Sequence, residues 1–297
     1  MSSFAIDILN AVKIYPDGFK SLNDVSFQVE QGEFFGLLGA NGAGKTTLIS
    51  AIAGILTLTS GNISVMGFDV KQSPFEVRKR LGVVPQELAF DPFLSIRETL
   101  RFQSGYFGIK KNDDWIDEVL HNLGLTDKAD INSRELSGGM KRRLMVAQAL
   151  VHKPPVIILD EPTAGVDVEL RQHLWAFISR LNQEGHTIVL TTHYLEEAQN
   201  LCSRIAMLKK GNLVALDSTK NLLRNDAGIR IGLEIFSLPE SLNQFKLEEK
   251  NNEYILQLEH FDELTEILQI LKNENIPIKN LRTIETDLED VFVSIMG

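Results

Sequence analysis

Cysteine is almost absent from this sequence, because Cys202 is the single cysteine among 297 residues. A single thiol excludes a disulfide framework within the chain and is typical of a protein from a reducing compartment. We expect Cys202 to be a small buried apolar residue. The six histidines and this cysteine also lack the spacing of metal ligands.

Long apolar runs and an excess of positive charge are missing as well. No apolar run approaches the length of about 20 residues that crosses a bilayer, and the N-terminus lacks a basic stretch followed by an apolar one. We therefore expect a chain that is neither secreted nor membrane-spanning, and that acts on a membrane only through another polypeptide. The formal net charge of -10 argues against nucleic acid as a partner, because phosphate backbones bind basic surfaces.

The composition is that of an ordinary globular protein, with 43% hydrophobic and 24% charged residues. The length allows one large domain and a smaller one. From about Asp217 the sequence becomes rich in Asn, Glu and Lys. We predict one domain over residues 1–217 and a small α+β appendage of unknown role over residues 218–297.

The appendage has its own strand and helix signals. Strands are predicted over residues 229–236 and 254–258, and a helix over 264–272. A terminal helix is predicted to begin at a Thr286-x-x-Glu289 cap and to place Leu288, Val291, Phe292 and Ile295 on one face.

The most informative motif is a glycine-rich loop between an apolar run that predicts a strand and a segment that predicts a helix. It reads Gly39-Ala40-Asn41-Gly42-Ala43-Gly44-Lys45-Thr46-Thr47. This spacing is typical of a P-loop, in which glycines let backbone N–H groups converge on phosphate at a helix N-terminus. Lys45 then reaches the β- and γ-phosphates, and the Thr46 hydroxyl is a ligand for Mg²⁺. A simple strand-to-helix turn is the weaker alternative.

Polar residues follow three other apolar strand candidates. Residues 156–159 lead into Asp160, which suits a metal shell, and Glu161, which suits a general base or a group that orients water. Gln86 and His193 stand at the ends of two further strands, where they can reach an ion, a water or a phosphate. Each of these residues has a structural alternative, since each can cap a turn or the helix that follows.

Residues 87–151 have a helical pattern and form a predicted insertion. Ser95 and Glu98 have the spacing of a capping box. The aromatic residues are expected mainly to form the core of the insertion, with a partner-binding face as the alternative; they are Phe90, Phe93, Phe102, Tyr106 and Phe107.

A second anion site is possible where Ser137 precedes Gly138 and Gly139 at the start of a helical run. Taken alone, this pattern is better explained as a simple capped helix. Near the N-terminus, residues 6–29 are predicted to form antiparallel strands around a turn that carries Tyr15. Tyr15 can stack on a base, or equally can cap a small core.

Together these motifs resemble, in their order, the nucleotide-binding subunit of an ABC transporter over about Ile6 to Asp217. The resemblance implies an α/β P-loop NTPase (RecA-like) core, an antiparallel β subdomain and a helical insertion. It assigns Tyr15 to adenine stacking, Gly39–Thr46 to Walker A, Gln86 to the Q-loop, Leu136–Met140 to the signature motif, Val156–Asp160 to Walker B, Glu161 to the catalytic glutamate, Asp167 to the D-loop and His193 to the switch histidine.

The resemblance also implies an ATPase in which two subunits enclose ATP and Mg²⁺. Catalysis is assigned to Glu161, His193 and Lys45, and Mg²⁺ to Thr46, Gln86 and Asp160. ATP is expected to contact Tyr15, Gly39, Asn41, Gly42, Ala43, Gly44, Lys45, Thr46, Thr47, Gln86 and Asp160 of one subunit, and Ser137, Gly138 and Gly139 of the other.

Two positions depart from the family pattern. Met140 stands where Gln is commoner, and Ala164–Asp167 replaces the more usual Ser-Ala-Leu-Asp. Hydrolysis is expected to survive both changes. The segments Leu288–Phe292 and Met140–Arg143 resemble those of ABC-2 type exporters.

The resemblance to exporters implies three further features. The partners are a second copy or a paralogous ATPase subunit, and a separate integral membrane permease. The location is the cytoplasmic face of the cell membrane. The alternative is a soluble ABC-family ATPase that acts on a partner outside the membrane.

Overall fold

The computed structural model describes residues 4–86, 91–225, 229–250, 253–258, 260, 262–284 and 287–297. The chain divides into two compact units, Met1–Asp217 and Ser218–Gly297. Among the described residues, no helix combines the length and the hydropathy needed to cross a bilayer.

The first unit is built from strands and helices that alternate along much of the chain. The strands are β1 (Phe4–Ile14), β2 (Lys20–Glu30), β3 (Phe34–Gly39), β4 (Ser60–Val65), β5 (Phe68–Asp69), β6 (Leu81–Val84), β7 (Val156–Asp160), β8 (Thr187–Thr191), β9 (Arg204–Lys209) and β10 (Asn212–Ser218). The helices are α1 (Lys45–Ile52), α2 (Pro74–Arg80), α3 (Ile96–Tyr106), α4 (Asp113–Asn122), α5 (Gly138–Leu150), α6 (Val168–Gln183) and α7 (Leu195–Leu201).

The central sheet of this unit has the strand order β10-β9-β3-β8-β7-β6. The pairs β9/β3, β3/β8, β8/β7 and β7/β6 are parallel. Every residue of β3, β7 and β8 is buried, which explains the apolar runs within these strands. Because parallel strands end at the same edge, the loop after β3 and the residues after β6, β7 and β8 lie along one edge.

A second sheet, with the order β2-β1-β4-β5, consists of antiparallel pairs. It shares an apolar core with the central sheet, in which the rings of Phe27 and Phe35 stack with their centroids 5.4 Å apart. The predicted antiparallel strands before the P-loop are confirmed. Cys202 is buried, as expected, and burial raises the pKa of its thiol.

Helices α3, α4 and α5 form the predicted helical insertion. The capping box is present, because the Ser95 hydroxyl accepts from the Glu98 N–H and the Glu98 carboxylate accepts from the Ser95 N–H. Among the described residues of the insertion, the buried side chains are mostly aliphatic, with one aromatic, and come from all three helices; they include Ile96, Leu100, Trp115, Ile116, Val119, Leu120 and Leu144.

The expectation that aromatic residues mainly build this core is wrong. Phe93, Phe102 and Tyr106 are 83%, 73% and 65% exposed, because Ile96 and Leu100 occupy the inward face of α3. Phe107 is half-buried and stacks on His152, with the ring centroids 3.8 Å apart. Phe90 lies outside the described residues.

The second unit is the predicted α+β appendage. Its elements are α8 (Thr219–Asn225), β11 (Ile229–Glu234), β12 (Lys246–Lys250), β13 (Glu253–Leu258), α9 (Asp262–Asn273), β14 (Asn280–Ile284) and α10 (Leu288–Met296). The strands pair antiparallel in the order β12-β13-β11-β14. Apolar residues of the sheet and of α9 form one buried cluster, which includes Ile231, Leu233, Leu256, Ile267 and Leu271.

The start of the terminal helix differs from the prediction. Asp287 caps α10, because its carboxylate accepts from the Asp290 N–H at 2.9 Å. Thr286, the predicted cap, lies outside the described residues, and the N-cap that the structure describes is Asp287. Leu288 and Val291 are buried and Phe292 and Ile295 half-buried, so the predicted apolar face is present.

Candidate active site

The glycine-rich loop joins β3 to α1 at the edge of the central sheet. Gly44 precedes α1 with φ of 108°, and a Cβ at this position would lie 2.6 Å from the Ser21 carbonyl oxygen. Only glycine fits there without displacing the backbone. No side chain caps this end of α1, so N–H groups of its first turn can bind an anion.

Lys45 is the first residue of α1 and is 9% exposed. Its ammonium donates to the carbonyl oxygens of Gly39 at 2.6 Å and Ala40 at 3.2 Å. Burial lowers the pKa of Lys45, while the charges of Glu161 and Asp160 oppose that shift. The loop therefore holds the Lys45 ammonium close to its own backbone carbonyls and near the carboxylates of Asp160 and Glu161.

A cavity of about 420 Å³ lies in front of this loop and collects nearly all of the residues predicted for one subunit. It is lined by Tyr15, Phe19, Ser21, Asn41, Gly42, Ala43, Gly44, Lys45, Thr46, Thr47, Gln86, Asp160, Glu161 and His193. Gly39 is not part of this lining, and its carbonyl oxygen accepts a hydrogen bond from Lys45.

One end of the cavity is aromatic. Tyr15 stacks on Phe19, with the ring centroids 6.4 Å apart and the planes inclined by 22°. Phe19 is 56% exposed although it is fully apolar. The Tyr15 hydroxyl lies 3.4 Å from the hydroxyl of Thr47, which ties this end to α1. Sequence reasoning missed Phe19, although its position four residues after Tyr15 in a hairpin turn was a usable signal.

The carboxylates of Asp160 and Glu161 stand at the end of β7. Asp160 is buried and accepts a hydrogen bond from the Thr191 hydroxyl. Glu161 has φ of 52°, in the left-handed region. Such a conformation costs on the order of 1–3 kcal/mol and is found where surrounding groups enforce it. The Glu161 N–H donates to the carbonyl oxygen of Thr191 at 3.1 Å, which is one such restraint.

Both oxygens of the Glu161 carboxylate have partners from neighbouring strand ends. His193 Nε2 lies 2.5 Å from Oε1, and Gln86 Nε2 donates to Oε2 at 3.4 Å. His193 is half-exposed, whereas the Glu161 side chain is only 12% exposed. The structure therefore brings together three residues that are far apart in sequence.

Behind His193 lies a buried carboxylate that sequence reasoning missed. Glu197 accepts hydrogen bonds from the hydroxyls of Thr192 at 2.7 Å and Thr163 at 3.0 Å, and from the Trp175 indole N–H at 3.1 Å. Arg171 Nε lies 3.7 Å from the same carboxylate. Thr163 follows Glu161 by two residues and Thr192 precedes His193, so Glu197 holds both the segment that carries Glu161 and the segment that carries His193. Its partners are 5 to 34 residues away in sequence, which hides the cluster from local patterns.

The second predicted anion site lies elsewhere on the chain. Ser137 caps α5, with its hydroxyl accepting from the Met140 N–H at 3.3 Å. Ser137 and Gly138 are exposed. Ser137, Gly138 and Gly139 are absent from the described lining of the cavity. Within one chain the two sites are therefore separate.

The motifs are shared with known proteins. Residues 22–164 match the family model described as ABC transporter. The linearmycin resistance ATP-binding protein LnrL of Bacillus subtilis (strain 168) is 34% identical over 287 residues, which is 92% of each chain. Nod factor export ATP-binding protein I of Burkholderia thailandensis is 40% identical over 238 residues, which is 80% of this chain and 78% of the relative.

A solved structure has the same fold as the first unit. It is a dimeric ATP-binding cassette in a post-hydrolysis state, bound to ADP and Pi. The TM-score is 0.67 at 25% sequence identity, over 72% of this chain and 98% of that chain.

Proposed function

This chain belongs to the ABC transporter family, as one of its ATP-binding proteins, and from this membership we propose that it powers an exporter. The resemblance inferred from the motifs is confirmed, as are the P-loop fold and the activity of an ATPase that uses ATP and Mg²⁺. Relatives named for Nod factor export and for linearmycin resistance support the direction of transport. We further propose that this exporter is of the ABC-2 type.

In this proposal the ATPase domain is residues 1–217, with a helical subdomain over 87–151, and residues 218–297 are an accessory domain. The family model lies within the first of these ranges. The cavity residues from Tyr15 to His193 lie in it as well.

The cavity fits a nucleoside triphosphate. Tyr15 and Phe19 offer a flat apolar surface for adenine, and the N–H groups at the start of α1 and the Lys45 ammonium receive the phosphates. The residues also fit Mg²⁺, because the Thr46 hydroxyl, the Gln86 amide oxygen and the Asp160 carboxylate are hard oxygen donors lining the same cavity. Mg²⁺ held by these residues would supply positive charge that offsets the charge of the phosphates.

The observation that carries the hydrolytic role is the position of the Glu161 carboxylate. It lies at the mouth of the phosphate cavity and is held by His193 on one oxygen and by Gln86 on the other. A carboxylate so placed can orient a water molecule toward the γ-phosphate and accept its proton. His193 is then placed to donate a hydrogen bond to the γ-phosphate.

A second chain completes the site in this proposal. The capped start of α5, at Ser137 to Gly139, offers N–H groups to an anion but does not line the cavity of its own chain. Two copies, or one copy and a paralogue, can each supply this element to the other's nucleotide. ATP then closes the dimer, and loss of the γ-phosphate opens it.

The remaining partner is proposed to be a membrane permease. The aromatic side chains of Phe93, Phe102 and Tyr106 are exposed on the helical insertion. Large apolar side chains exposed to water are typical of a surface that binds a partner. They offer an apolar docking surface for a segment of the permease at the cytoplasmic face of the membrane. Nucleic acid is not proposed as a partner, because the chain is strongly acidic.

The proposal is tested with Glu161→Gln, which keeps the shape of the side chain but removes its charge. We expect turnover of ATP to fall at least about a hundredfold while Mg-ATP still binds. Size-exclusion chromatography with light scattering should show a monomer without Mg-ATP and a dimer with it. The control is Glu184→Gln, which changes an exposed glutamate at the end of α6. A Glu161→Gln variant that hydrolyses ATP at the native rate would refute the proposed role.

A further inference from the structure

Arg142 connects the ends of two catalytic strands. Arg142 is 3% exposed, and its guanidinium donates to four backbone carbonyls. One nitrogen binds the carbonyl oxygens of Pro85 at 2.6 Å and Gln86 at 2.9 Å. The other binds those of Asp160 and Glu161, the latter at 2.5 Å.

These carbonyls belong to the segments that carry the proposed hydrolytic groups. Pro85 and Gln86 follow β6, Asp160 is the last residue of β7, and Glu161 follows it. A planar guanidinium has a fixed fork of donors, so it sets the distance and the angle between the two segments it joins. The Gln86 amide and the Glu161 carboxylate, which meet at 3.4 Å, depend on that distance.

Arg142 also accounts for the backbone at Glu161. The left-handed φ of 52° needs restraint from outside the residue. Thr191 restrains the N–H of Glu161, and Arg142 restrains its carbonyl oxygen. The Arg142 Nε, by contrast, is buried with no hydrogen-bond partner among the described residues. A buried N–H without a partner costs free energy. The four hydrogen bonds of the terminal nitrogens offset that cost and hold the side chain in this orientation.

Because Arg142 belongs to α5, this contact also links the signature motif to the ends of β6 and β7. Arg142 lies one turn into α5, the helix that Ser137 caps and that is proposed to meet the nucleotide of the other subunit. A helix of 13 residues moves as a rigid element, so a shift of its first turn moves Arg142 as well.

We propose that Arg142 is a positioning residue that couples the signature helix α5 to the hydrolytic carboxylate Glu161 of the same chain. Docking of α5 on the nucleotide of the second subunit thereby sets the geometry of Glu161 and Gln86 for hydrolysis. The inference rests on the proposed function, in particular on the roles of Glu161 and of the signature motif.

The test compares Arg142→Lys with the matched variant Arg143→Lys. Arg143 is also a buried arginine of α5, but its guanidinium donates to the carbonyls of Leu123 and Gly124 within the helical insertion. Both variants keep the positive charge and lose the fork. The measurements are kcat and KM for Mg-ATP, the affinity for a fluorescent ATP analogue and the midpoint of thermal unfolding.

We expect Arg142→Lys to lower kcat at least about tenfold with KM within about twofold of the native value, because small displacements of positioned groups strongly slow a reaction while binding is retained. Arg143→Lys should keep kcat within about twofold. Arg142→Lys in the Glu161→Gln background should still dimerise with Mg-ATP, because Arg142 lines no part of the cavity.

Native kcat in Arg142→Lys would overturn the inference, as would an equal loss of kcat in both lysine variants. Loss of nucleotide affinity with kcat unchanged would do the same. If Arg142→Lys does not fold, Arg142→Gln, which keeps two amide N–H donors, is judged by the same criteria. The proposed function fails separately, through native turnover in Glu161→Gln, so the two failures are distinguishable.

Discussion

The imidazole of His193 lies 2.5 Å from the Glu161 carboxylate, Nε2 to Oε1, although 32 residues separate the two in sequence. The contact joins the ends of two neighbouring parallel strands, β7 and β8. It keeps the carboxylate facing the cavity while leaving the imidazole half-exposed, where it can reach a phosphate.

Removal of this imidazole should slow the chemical step. We expect His193→Ala to lower kcat by roughly a hundredfold or more, because one aligned donor to a developing charge is lost. The affinity for Mg-ATP should change by less than about threefold. Steady-state ATPase assays and nucleotide binding measure the two effects. The control is His173→Ala, an exposed histidine of α6, and equal activity in the two variants would exclude His193 from catalysis.

The buried Glu197 should support both stability and turnover. Glu197→Gln replaces an acceptor of three hydrogen bonds with an amide whose NH₂ group faces donors. We expect a loss of about 1–3 kcal/mol in the free energy of unfolding, together with a lower kcat because Thr192 no longer holds the segment before His193. Urea unfolding and ATPase assays measure these changes. The adjacent Glu196 is exposed, so Glu196→Gln should have neither effect.

His152 should make stability depend on pH. Burial lowers its pKa from 6.5 to about 4, and the ring stacks on Phe107. The unfolded chain therefore takes up this proton at higher pH than the folded chain does. The stabilisation is fully present above pH 6.5 and is lost as the pH falls toward about 4.

Between pH 7 and pH 5 we expect this histidine to reduce the free energy of unfolding by on the order of 2 kcal/mol. Urea unfolding at the two pH values measures the change, and His152→Gln should remove that part of it. His121→Gln, at an exposed position of α4, should retain it. If His152→Gln keeps the full pH dependence, the histidine is not its source.

The exposed aromatic residues of α3 should affect membrane association and not hydrolysis. We expect the double variant Phe102→Ser/Tyr106→Ser to retain the ATPase activity of the isolated chain and to lose most of its sedimentation with membranes of the cells that produce it. Phe75→Ser removes an equally exposed aromatic residue from α2 and should leave sedimentation unchanged. Equal release by both variants would mean that the α3 surface has no specific role.

Much of the site could be predicted because its residues follow local patterns. The P-loop combines fixed glycine spacing with a strand before it and a helix after it, and Gln86, Asp160, Glu161 and His193 each end an apolar strand. Such patterns are determined by neighbours in sequence.

The residues that could not be predicted from the sequence act through partners that are distant in the chain. Glu197 and Arg142 act through contacts 5 to 57 residues away, which no local pattern reveals. Strand β12 reads Lys-Leu-Glu-Glu-Lys, and its charges conceal an edge strand. The exposure of the aromatic residues of α3 does not follow from the sequence, because apolar character alone does not say which face of a helix is inward.

The single cysteine, Cys202, is buried, so its reaction with a thiol reagent reports local opening of the fold. Cys202 lies against Gly36 of β3, where a Cβ on the glycine would meet its sulfur at 3.2 Å. Burial shields the sulfur from solvent and raises the pKa of the thiol, and both effects lower its reactivity in the folded chain. A thiol-reactive label therefore modifies only the molecules in which the structure around Cys202 and β3 has opened. The rate of labelling, measured with and without nucleotide, gives the free energy of that opening without any introduced probe.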